Sequence, residues 1–168
     1  MQETTQQYIQ RMLGNVEGKD PLKIQESTPK KLAAAIKGKN RKQLDRRPAP
    51  GKWSITEILA HLADTELVAG WRLRLILGQN GAPVHAFDQD VWAGAFHYQK
   101  TDPKKSLELF RVLREANLAV LKSLSREQWE NYGMHQERGK ETIGHIVRMF
   151  AGHDVNHVAQ VEQLAKAK

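Results

Sequence analysis

Hydrophobic residues recur every three or four positions over long parts of the chain, which is the spacing of one face of an α-helix. The pattern predicts a first helical segment over about residues 2–38, made of two or three pieces, and helices over about residues 54–77, 103–124 and 141–165. No stretch shows the regular period-two alternation of a β-strand. Long amphipathic helices joined in part by long connections favour an all-α fold, with a four-helix bundle as its architecture.

Residues that cap helices support these boundaries. Ser54 and Glu57 have the spacing of a capping box, in which each side chain satisfies a free backbone N–H group at the start of the second helix. The connections 79–101 and 133–139 are predicted to be loops, the first with a short helix within residues 88–98. Three further sites pair a capping residue with a proline, the residue favoured at the first helical position: Asp20-Pro21, Thr28-Pro29 and Asp102-Pro103.

Length and composition predict one domain over residues 1–168. A chain of 168 residues with 40% hydrophobic residues can bury one core but is short for two. It contains no apolar run of the roughly 20 residues that a membrane span needs, and residues 1–7 lack the basic and apolar order of a signal peptide. We therefore expect a cytoplasmic protein without a membrane partner. Because the chain has no cysteine, a metal ion would have to be bound by histidine, aspartate or glutamate.

The net charge of +7 is concentrated in one short stretch. Residues 30–52 contain nine basic side chains and one acidic side chain, a local charge of +8, and the rest of the chain sums to −1. Such a stretch can contact phosphates, but a solvated, partly helical connector has the same composition. It contains no aromatic residue, so it lacks the stacking surface of a single-strand binder. We expect no nucleic-acid partner.

Two of the seven histidines occupy positions that a helix bundle normally fills with apolar side chains. In the fourth predicted helix, His153 and His157 continue the inward positions of Ile143, Ile146 and Phe150 in steps of three or four residues. Burial of a polar ring is costly unless the ring finds a partner. Two imidazoles one turn apart can bind one metal ion, and a pair of hydrogen-bonded core histidines is the alternative.

A third ligand is needed to hold a metal ion well, and His61 is the candidate. It lies two turns into the second helix, at the edge of the apolar stripe of Ile55, Ile58 and Leu62, where it faces a neighbouring helix. A histidine at a helix boundary with a surface hydrogen bond is the alternative. His145 suits the wall of the site better than a ligand position. Three other histidines are expected on the surface, namely His85, His97 and His135.

Two segments of the chain resemble the DinB superfamily of metal-dependent enzymes. They are GKWSITEILAHLADTE at residues 51–66 and GHDVNHVAQVE at residues 152–162, and the likeness extends through most of the chain. The resemblance implies a four-helix bundle that binds one divalent metal ion with one histidine of the second helix and two of the fourth. These histidines correspond to His61, His153 and His157. Three imidazoles suit zinc, nickel, copper or iron, and we expect zinc or nickel.

The resemblance implies a class of reactions and leaves the substrate open. The family includes S-transferases that use low-molecular-weight thiols such as bacillithiol or mycothiol, and members described as hydrolases. Our first hypothesis is a metal-dependent thiol S-transferase with the thiol as co-substrate, because a bound ion can deprotonate a thiol. The alternatives are a metal-dependent hydrolase acting through an activated water, and a stress-response or binding protein without turnover. We expect a small-molecule substrate, and the family implies a homodimer.

The other candidate residues of the site each have two interpretations. Asp154 stands where a helical zinc-protease motif has its glutamate base, but it also suits a carboxylate that is solvated or beside the ligands. Asp64 either orients His61 or faces water. Arg72 and Arg148 are the nearest candidates for binding an anionic substrate group, or else they face solvent. Three aromatic residues either line the entrance of the site or pack a short helix: Trp92, Phe96 and Tyr98.

Overall fold

The computed structural model describes residues 3–167, and most of them lie in helices. Within these residues the α-helices are α1 (Thr5–Gly14), α2 (Pro21–Ile36), α3 (Arg41–Leu44), α4 (Ile55–Gly78), α5 (Gln89–Ala95), α6 (Pro103–Lys122), α7 (Arg126–Trp129) and α8 (Ile143–Lys166). A 3-10 turn spans Tyr98–Lys100, and the strands are β1 (Pro83–Val84), β2 (Tyr132–His135) and β3 (Gly139–Thr142). None of these described helices combines the length and the apolar character that crossing a membrane requires.

Four long helices form a bundle. α4 packs along α6 and α2 packs along α8, while contacts between α2 and α6 and between α4 and α8 close the ring. The shorter α1 lies against α8. The four-helix bundle that the hydrophobic pattern predicts is therefore confirmed, and its helices begin and end within a few residues of the predicted boundaries.

A layer of polar side chains crosses the bundle between two apolar clusters. Each bundle helix contributes a buried polar residue to this layer, at a position between members of the two clusters along the chain: Gln25, Glu66, Arg114 and Asp154. Arg114 joins the four helices, because its guanidinium donates to Glu66 Oε2 (2.8 Å), to Asp154 Oδ1 (3.0 Å) and to the backbone carbonyl of Gln25 (3.0 Å). The charges of this layer are thus paired inside the protein, as burial requires.

The predicted helix start at Thr28-Pro29 is wrong, because α2 continues through both residues. Pro29 lies inside α2, where it has no N–H group to donate to the carbonyl four residues before it. That carbonyl belongs to Gln25, and Arg114 supplies the missing hydrogen bond from α6. The start predicted at Asp20-Pro21 is confirmed, since Asp20 caps α2 through Leu22 N (2.9 Å).

A small sheet replaces the loop predicted over residues 133–139. β1 pairs with β2 in parallel, and β2 pairs with β3 as an antiparallel hairpin. With two to four residues each, the strands are too short to show a period-two pattern, and the pairing of Val84 with His135 joins distant parts of the chain. α8 accordingly begins at Ile143, after Thr142 as its cap, rather than at Glu141.

The basic stretch of residues 30–52 has the structure of a solvated connector. It contains the end of α2 and the whole of the short α3, and eight of its nine basic side chains are exposed. Arg47 lies over the start of α4, where it binds the Glu57 carboxylate. The prediction of a partly helical connector is consistent with this arrangement.

Gly152 allows α1 to approach α8 closely. A β-carbon there would overlap the Met12 carbonyl of α1, and the Asn15 side chain donates to the Gly152 carbonyl (3.1 Å). We expect Gly152→Ala to displace α1 and to lower the free energy of unfolding by about 1–3 kcal/mol, the usual cost of overpacking. Gly144→Ala in the same helix is the matched control and should be neutral, because its β-carbon would lie no closer than 3.8 Å to the surrounding chain. Equal urea midpoints for the two variants would contradict this role of Gly152.

Candidate metal centre

The starts of α4 and α8 determine where their histidines point. Ser54 caps α4 as predicted: Glu57 N donates to Ser54 Oγ (3.3 Å), Ser54 N donates to Glu57 Oε2 (2.8 Å), and Arg47 holds the same carboxylate. This local network determines where α4 begins, so that His61 faces α8 two turns later. At the start of α8, Thr142 Oγ1 accepts a hydrogen bond from the backbone N–H of His145 (3.1 Å).

The three histidines singled out in the sequence lie together in the interior. His153 Nε2 is 3.0 Å from His61 Nε2 and 3.1 Å from His157 Nε2, and one ring nitrogen of each residue lies within 4.8 Å of the others. The residues are 1%, 8% and 8% exposed for His61, His153 and His157. Two nitrogens bound to one tetrahedral zinc ion lie about 3.3 Å apart. The spacing of the cluster therefore fits a shared metal ion.

Hydrogen bonding among the three rings alone does not satisfy the cluster. The Nδ1–H group of His157 donates to Gln160 Oε1 (3.0 Å), so the neutral His157 ring has an unprotonated Nε2 facing His153. His153 Nε2 carries at most one proton, and in either tautomer of His153 at most one of its two short contacts is a hydrogen bond. A cation between the rings would satisfy the unprotonated nitrogens, and the Gln160 bond orients His157 for that role.

Burial keeps these histidines neutral. Loss of hydration, together with the nearby His157, lowers the pKa of His61 to about 3. Burial also lowers the pKa of His157 to about 4, although the Gln160 hydrogen bond acts in the opposite direction. The pKa of the fully enclosed His153 is well below its ordinary value for the same reason, with His157 and His61 adding to the shift. At neutral pH the three rings are therefore uncharged, which is the form that binds metals.

Two cavities open onto the histidines. The inner cavity has a volume of about 260 Å³ and is lined by His61, His153, Tyr8, Thr65, Arg72, Phe87, Gln89, Arg138, Met149 and Phe150. The outer cavity has a volume of about 410 Å³ and is lined by His153, His157, Tyr8, Gln89 and residues that include Arg11, Trp53 and Asn156. The two cavities meet at the residues they share, Tyr8, Gln89 and His153. A molecule in either one would lie beside the cluster.

Asp154 and Asp64, the two acidic residues considered for the site, form hydrogen bonds outside the histidine cluster. Asp154 is 1% exposed and accepts hydrogen bonds from Arg114 with both carboxylate oxygens, so the prediction of a solvated carboxylate is wrong. Because both of its oxygens bind Arg114, Asp154 belongs to the polar layer and does not act as the base of a zinc-protease motif. Asp64 is half-buried and accepts a hydrogen bond from the Tyr98 hydroxyl (2.6 Å), so its carboxylate positions Tyr98 instead of His61.

The aromatic residues after α4 pack a short helix, which was one of the two predicted roles for them. Trp92 of α5 lies on Phe87, with ring centroids 4.7 Å apart, and Tyr98 is buried beside Trp53. Phe96 contacts Trp92 and is 56% exposed. The cavity wall in this region is formed by Phe87 and Gln89 instead.

The remaining predicted residues divide between the site and the surface. Arg72 lines the inner cavity, whereas Arg148 is exposed to solvent. His145 lies 3.7 Å from the Glu141 carboxylate and is not among the residues that line either cavity. His135 is 3% exposed, so its predicted surface position is wrong, because pairing of β2 with β1 covers it. The other two histidines are exposed as predicted, His85 and His97.

Several residues of the site have no clear signal in the sequence. Tyr8 and Arg11 reach the cavities only because α1 docks on α8, and Arg138 does so because the hairpin folds back. Gln160 is the exception. It follows His157 by one helical turn, so the helical spacing alone places the two side chains on one face.

Comparisons with known proteins agree with this architecture. A model of the DinB superfamily matches residues 25–161. A protein of Oceanobacillus iheyensis named "Putative metal-dependent hydrolase" is 29% identical over 143 residues, which cover 85% of this chain and 83% of its own. YfiT of Bacillus subtilis, with the same description, is 26% identical over 147 residues, or 86% of this chain and 82% of its own.

The solved structure of Bacillus subtilis YfiT has the same fold. It matches with a TM-score of 0.81 and 22% sequence identity over 97% of this chain and 88% of its own, and it is described as having "an unusual four-helix bundle topology". The residues matched by the family model include both helices that carry the clustered histidines, α4 and α8 up to residue 161.

Proposed function

Because the chain belongs to the DinB superfamily, we propose that it is a metal-dependent hydrolase in which His61, His153 and His157 bind one divalent ion, zinc or nickel. The observation that carries this proposal is the convergence of three buried, uncharged imidazoles beside two cavities. The names of the Oceanobacillus and Bacillus relatives favour hydrolysis over the other reactions considered.

Three protein ligands leave a coordination position open, which is typical of a catalytic rather than a structural site. A divalent ion there supplies Lewis-acid chemistry, making water acidic enough to act as a nucleophile near neutral pH. The ligands themselves are neutral, so they leave the charge of the ion uncompensated. An ion held by His61, His153 and His157 would therefore keep its positive charge beside the two cavities that these residues line.

The other cavity residues bind and enclose a substrate. Phe87, Met149 and Phe150 form an apolar wall of the inner cavity, which limits the access of bulk water. Tyr8 lies where the cavities meet, and burial raises the pKa of its hydroxyl. Tyr8 therefore stays protonated at neutral pH and can donate a hydrogen bond to a substrate oxygen beside the cluster.

Thiol S-transfer is a second candidate, and the paired cavities favour it. A transferase must place two reactants against one centre, and His153 lines both the inner and the outer cavity. The chain has no cysteine of its own, so the thiol would be a co-substrate in one cavity with the electrophile in the other. Hydrolysis needs only one of these spaces for the organic substrate.

One set of assays separates these functions. Tag-free protein is depleted of metal, reloaded with zinc or nickel, and given a panel of aryl esters, aryl phosphates and anilides, and separately a small thiol with a chromogenic electrophile. We expect hydrolysis that requires the ion, is lost in His157→Ala and is kept in His97→Asn, a change at an exposed histidine. Thiol consumption without hydrolysis would favour the transferase. Loaded protein without either activity would contradict both and favour a binding protein.

A further inference from the structure

Arg72 is a buried cation that faces the inner cavity without a carboxylate partner. It lies on α4, three helical turns beyond His61 and on nearly the same face, and it is 6% exposed. Among residues 3–167, no acidic group lies within ion-pair distance of its guanidinium. Burial of a charge without a partner is costly, so such a residue needs a functional explanation.

Two contacts hold the Arg72 guanidinium in place. Its Nη2 atom donates to the backbone carbonyl of His85 (2.8 Å), and its central carbon lies 5.8 Å from the centroid of the Phe87 ring. A guanidinium has five N–H donors in a rigid plane, and the His85 carbonyl takes only one of them. The group is therefore fixed in orientation and still has donors for a ligand in the cavity.

His135 places a second donor beside Arg72. The backbone N–H of Glu137 donates to His135 Nδ1 (3.2 Å), so the proton of the neutral ring is on Nε2. That Nε2 atom lies 3.5 Å from Arg72 Nη2. A protonated Nε2 cannot accept a hydrogen bond from Arg72, so the guanidinium donors that the His85 carbonyl leaves free stay available to an anion in the cavity.

The other arginine of the inner cavity is already neutralised. Arg138 donates to both oxygens of the Glu141 carboxylate, at 2.7 Å and 2.9 Å. Burial, reinforced by the nearby Arg138, lowers the pKa of Arg72 to about 10, although Glu141, which is bound to Arg138, acts in the opposite direction, and Arg72 is charged at neutral pH. The uncompensated positive charge of the cavity wall is therefore at Arg72.

We propose that Arg72 binds an acidic group of the substrate, a carboxylate or a phosphate, while the reacting bond lies at the three histidines. This inference rests on the proposed function only in placing the reacting bond of the substrate at the histidines. The binding of an anion by Arg72 does not depend on it. Eleven residues separate His61 from Arg72, a rise of about 16 Å, and helical side chains lean towards the N-terminus. The acidic group is thus on the order of 10 Å from the reacting bond. Between the two ends, the apolar wall favours a hydrocarbon segment.

Direct binding measurements test the anion site without relying on turnover. The metal-loaded protein is titrated by calorimetry with glutarate and, separately, with inorganic phosphate, and the better ligand identifies the acidic group. Charge-assisted hydrogen bonds are worth about 1.5–3 kcal/mol, so we expect Arg72→Gln to raise the Kd about 10-fold to 100-fold. Arg72→Lys keeps the charge and should weaken binding less. Arg148→Gln is the matched control at an exposed arginine and should bind like the wild type.

Two outcomes overturn the inference. One is a wild type that binds neither anion at millimolar concentration, and the other is equal affinity in Arg72→Gln and Arg148→Gln. Anion binding to the ion itself would persist in Arg72→Gln, so the difference between these variants reports on Arg72 alone. Circular dichroism checks that each variant is folded. If Arg72→Gln does not fold, Arg72→Lys takes its place in the comparison with Arg148→Gln.

A pair of substrates then separates this inference from the proposed function. An aryl ester with a terminal carboxylate is compared with its neutral methyl ester, and we expect the wild type to prefer the acidic ester by about 10-fold or more in kcat/KM. If neither ester is hydrolysed but Arg72→Gln still loses the anion, the proposed function fails and the anion site stands. If both are hydrolysed equally and the Kd is unchanged in Arg72→Gln, the anion site fails and the hydrolase stands.

Discussion

Replacing His153 with alanine should abolish stoichiometric metal binding. Its Nε2 atom is within 3.1 Å of the corresponding atoms of His61 and His157, so His153 is the central member of the cluster. Only two ligands would remain, and their rings would be separated by a space that water can enter. By elemental analysis of dialysed, tag-free protein, we expect about one equivalent of metal per chain in the wild type and less than about a tenth in the variant.

Two further variants, one at an outer partner of the site and one at the surface, provide the comparison for this loss of metal binding. Gln160→Ala removes the group that orients His157, and such outer partners typically contribute about 10-fold to 100-fold in metal affinity. His97→Asn, at an exposed histidine, should bind metal like the wild type. A wild-type protein that takes up neither zinc nor nickel would contradict the metal site, and a His153→Ala protein with a full equivalent would place the ion elsewhere.

Features encoded within one helix could be predicted from the sequence. The capping box of Ser54 and Glu57, the cap at Asp20 and the one-turn spacing of His153 and His157 involve residues three or four positions apart or adjacent. Their geometry follows from the helix itself. For the same reason the helices of the bundle could be placed to within a few residues.

Features that depend on distant contacts could not be predicted. Pro29 is tolerated inside α2 only because Arg114, far along the chain, donates to the Gln25 carbonyl. Asp154 has the spacing of a catalytic base, and its pairing with the same arginine is visible only in the folded bundle. His135 is buried by a two-residue strand that has no pattern of its own.

The candidate site shows the same division. The helical pattern placed His153 and His157 inward and made His61, on another helix, the candidate third ligand, but a surface histidine remained the alternative until the family resemblance favoured the ligand role. Tyr8 comes from α1, outside the residues that the family model matches, and its position depends on the close approach at Gly152. The cavities are therefore a product of tertiary packing around a cluster that the sequence could indicate.

The largest loss of stability is expected for Arg114→Leu. Arg114 is 2% exposed and is the cation that Glu66 and Asp154 share in the middle of the bundle. Its removal leaves two buried carboxylates without a positive partner and the Gln25 carbonyl without its donor. Breaking a buried ion pair in this way costs about 3–5 kcal/mol, a large part of the roughly 5–15 kcal/mol that stabilises a typical folded protein.

The pH dependence of this loss distinguishes charge from packing. Burial already raises the pKa of Glu66, even with Arg114 beside it. Without Arg114 the pKa of the Glu66 carboxyl should rise further in the folded protein. A raised pKa of an acid favours folding at low pH, so the stability that Arg114→Leu loses relative to the wild type should shrink as the pH falls from 7 towards 5. The buried histidines titrate in both proteins, so most of their effect cancels in this difference. The triple variant with Glu66→Gln and Asp154→Asn should recover much of the stability and lose this dependence.

Arg111→Leu is the matched control, because it removes an arginine from the same helix that also pairs with two glutamates, Glu108 and Glu115. Its side chain is 41% exposed and its partners are more exposed still, so solvent screens these pairs. We expect a loss of at most about 1 kcal/mol in urea unfolding. Equal losses for the Arg111 and Arg114 variants would mean that the polar layer contributes no more than a surface ion pair. A much larger loss at Arg114, recovered by neutralising both acids, would show that pairing with this one cation stabilises the two acids in the bundle interior.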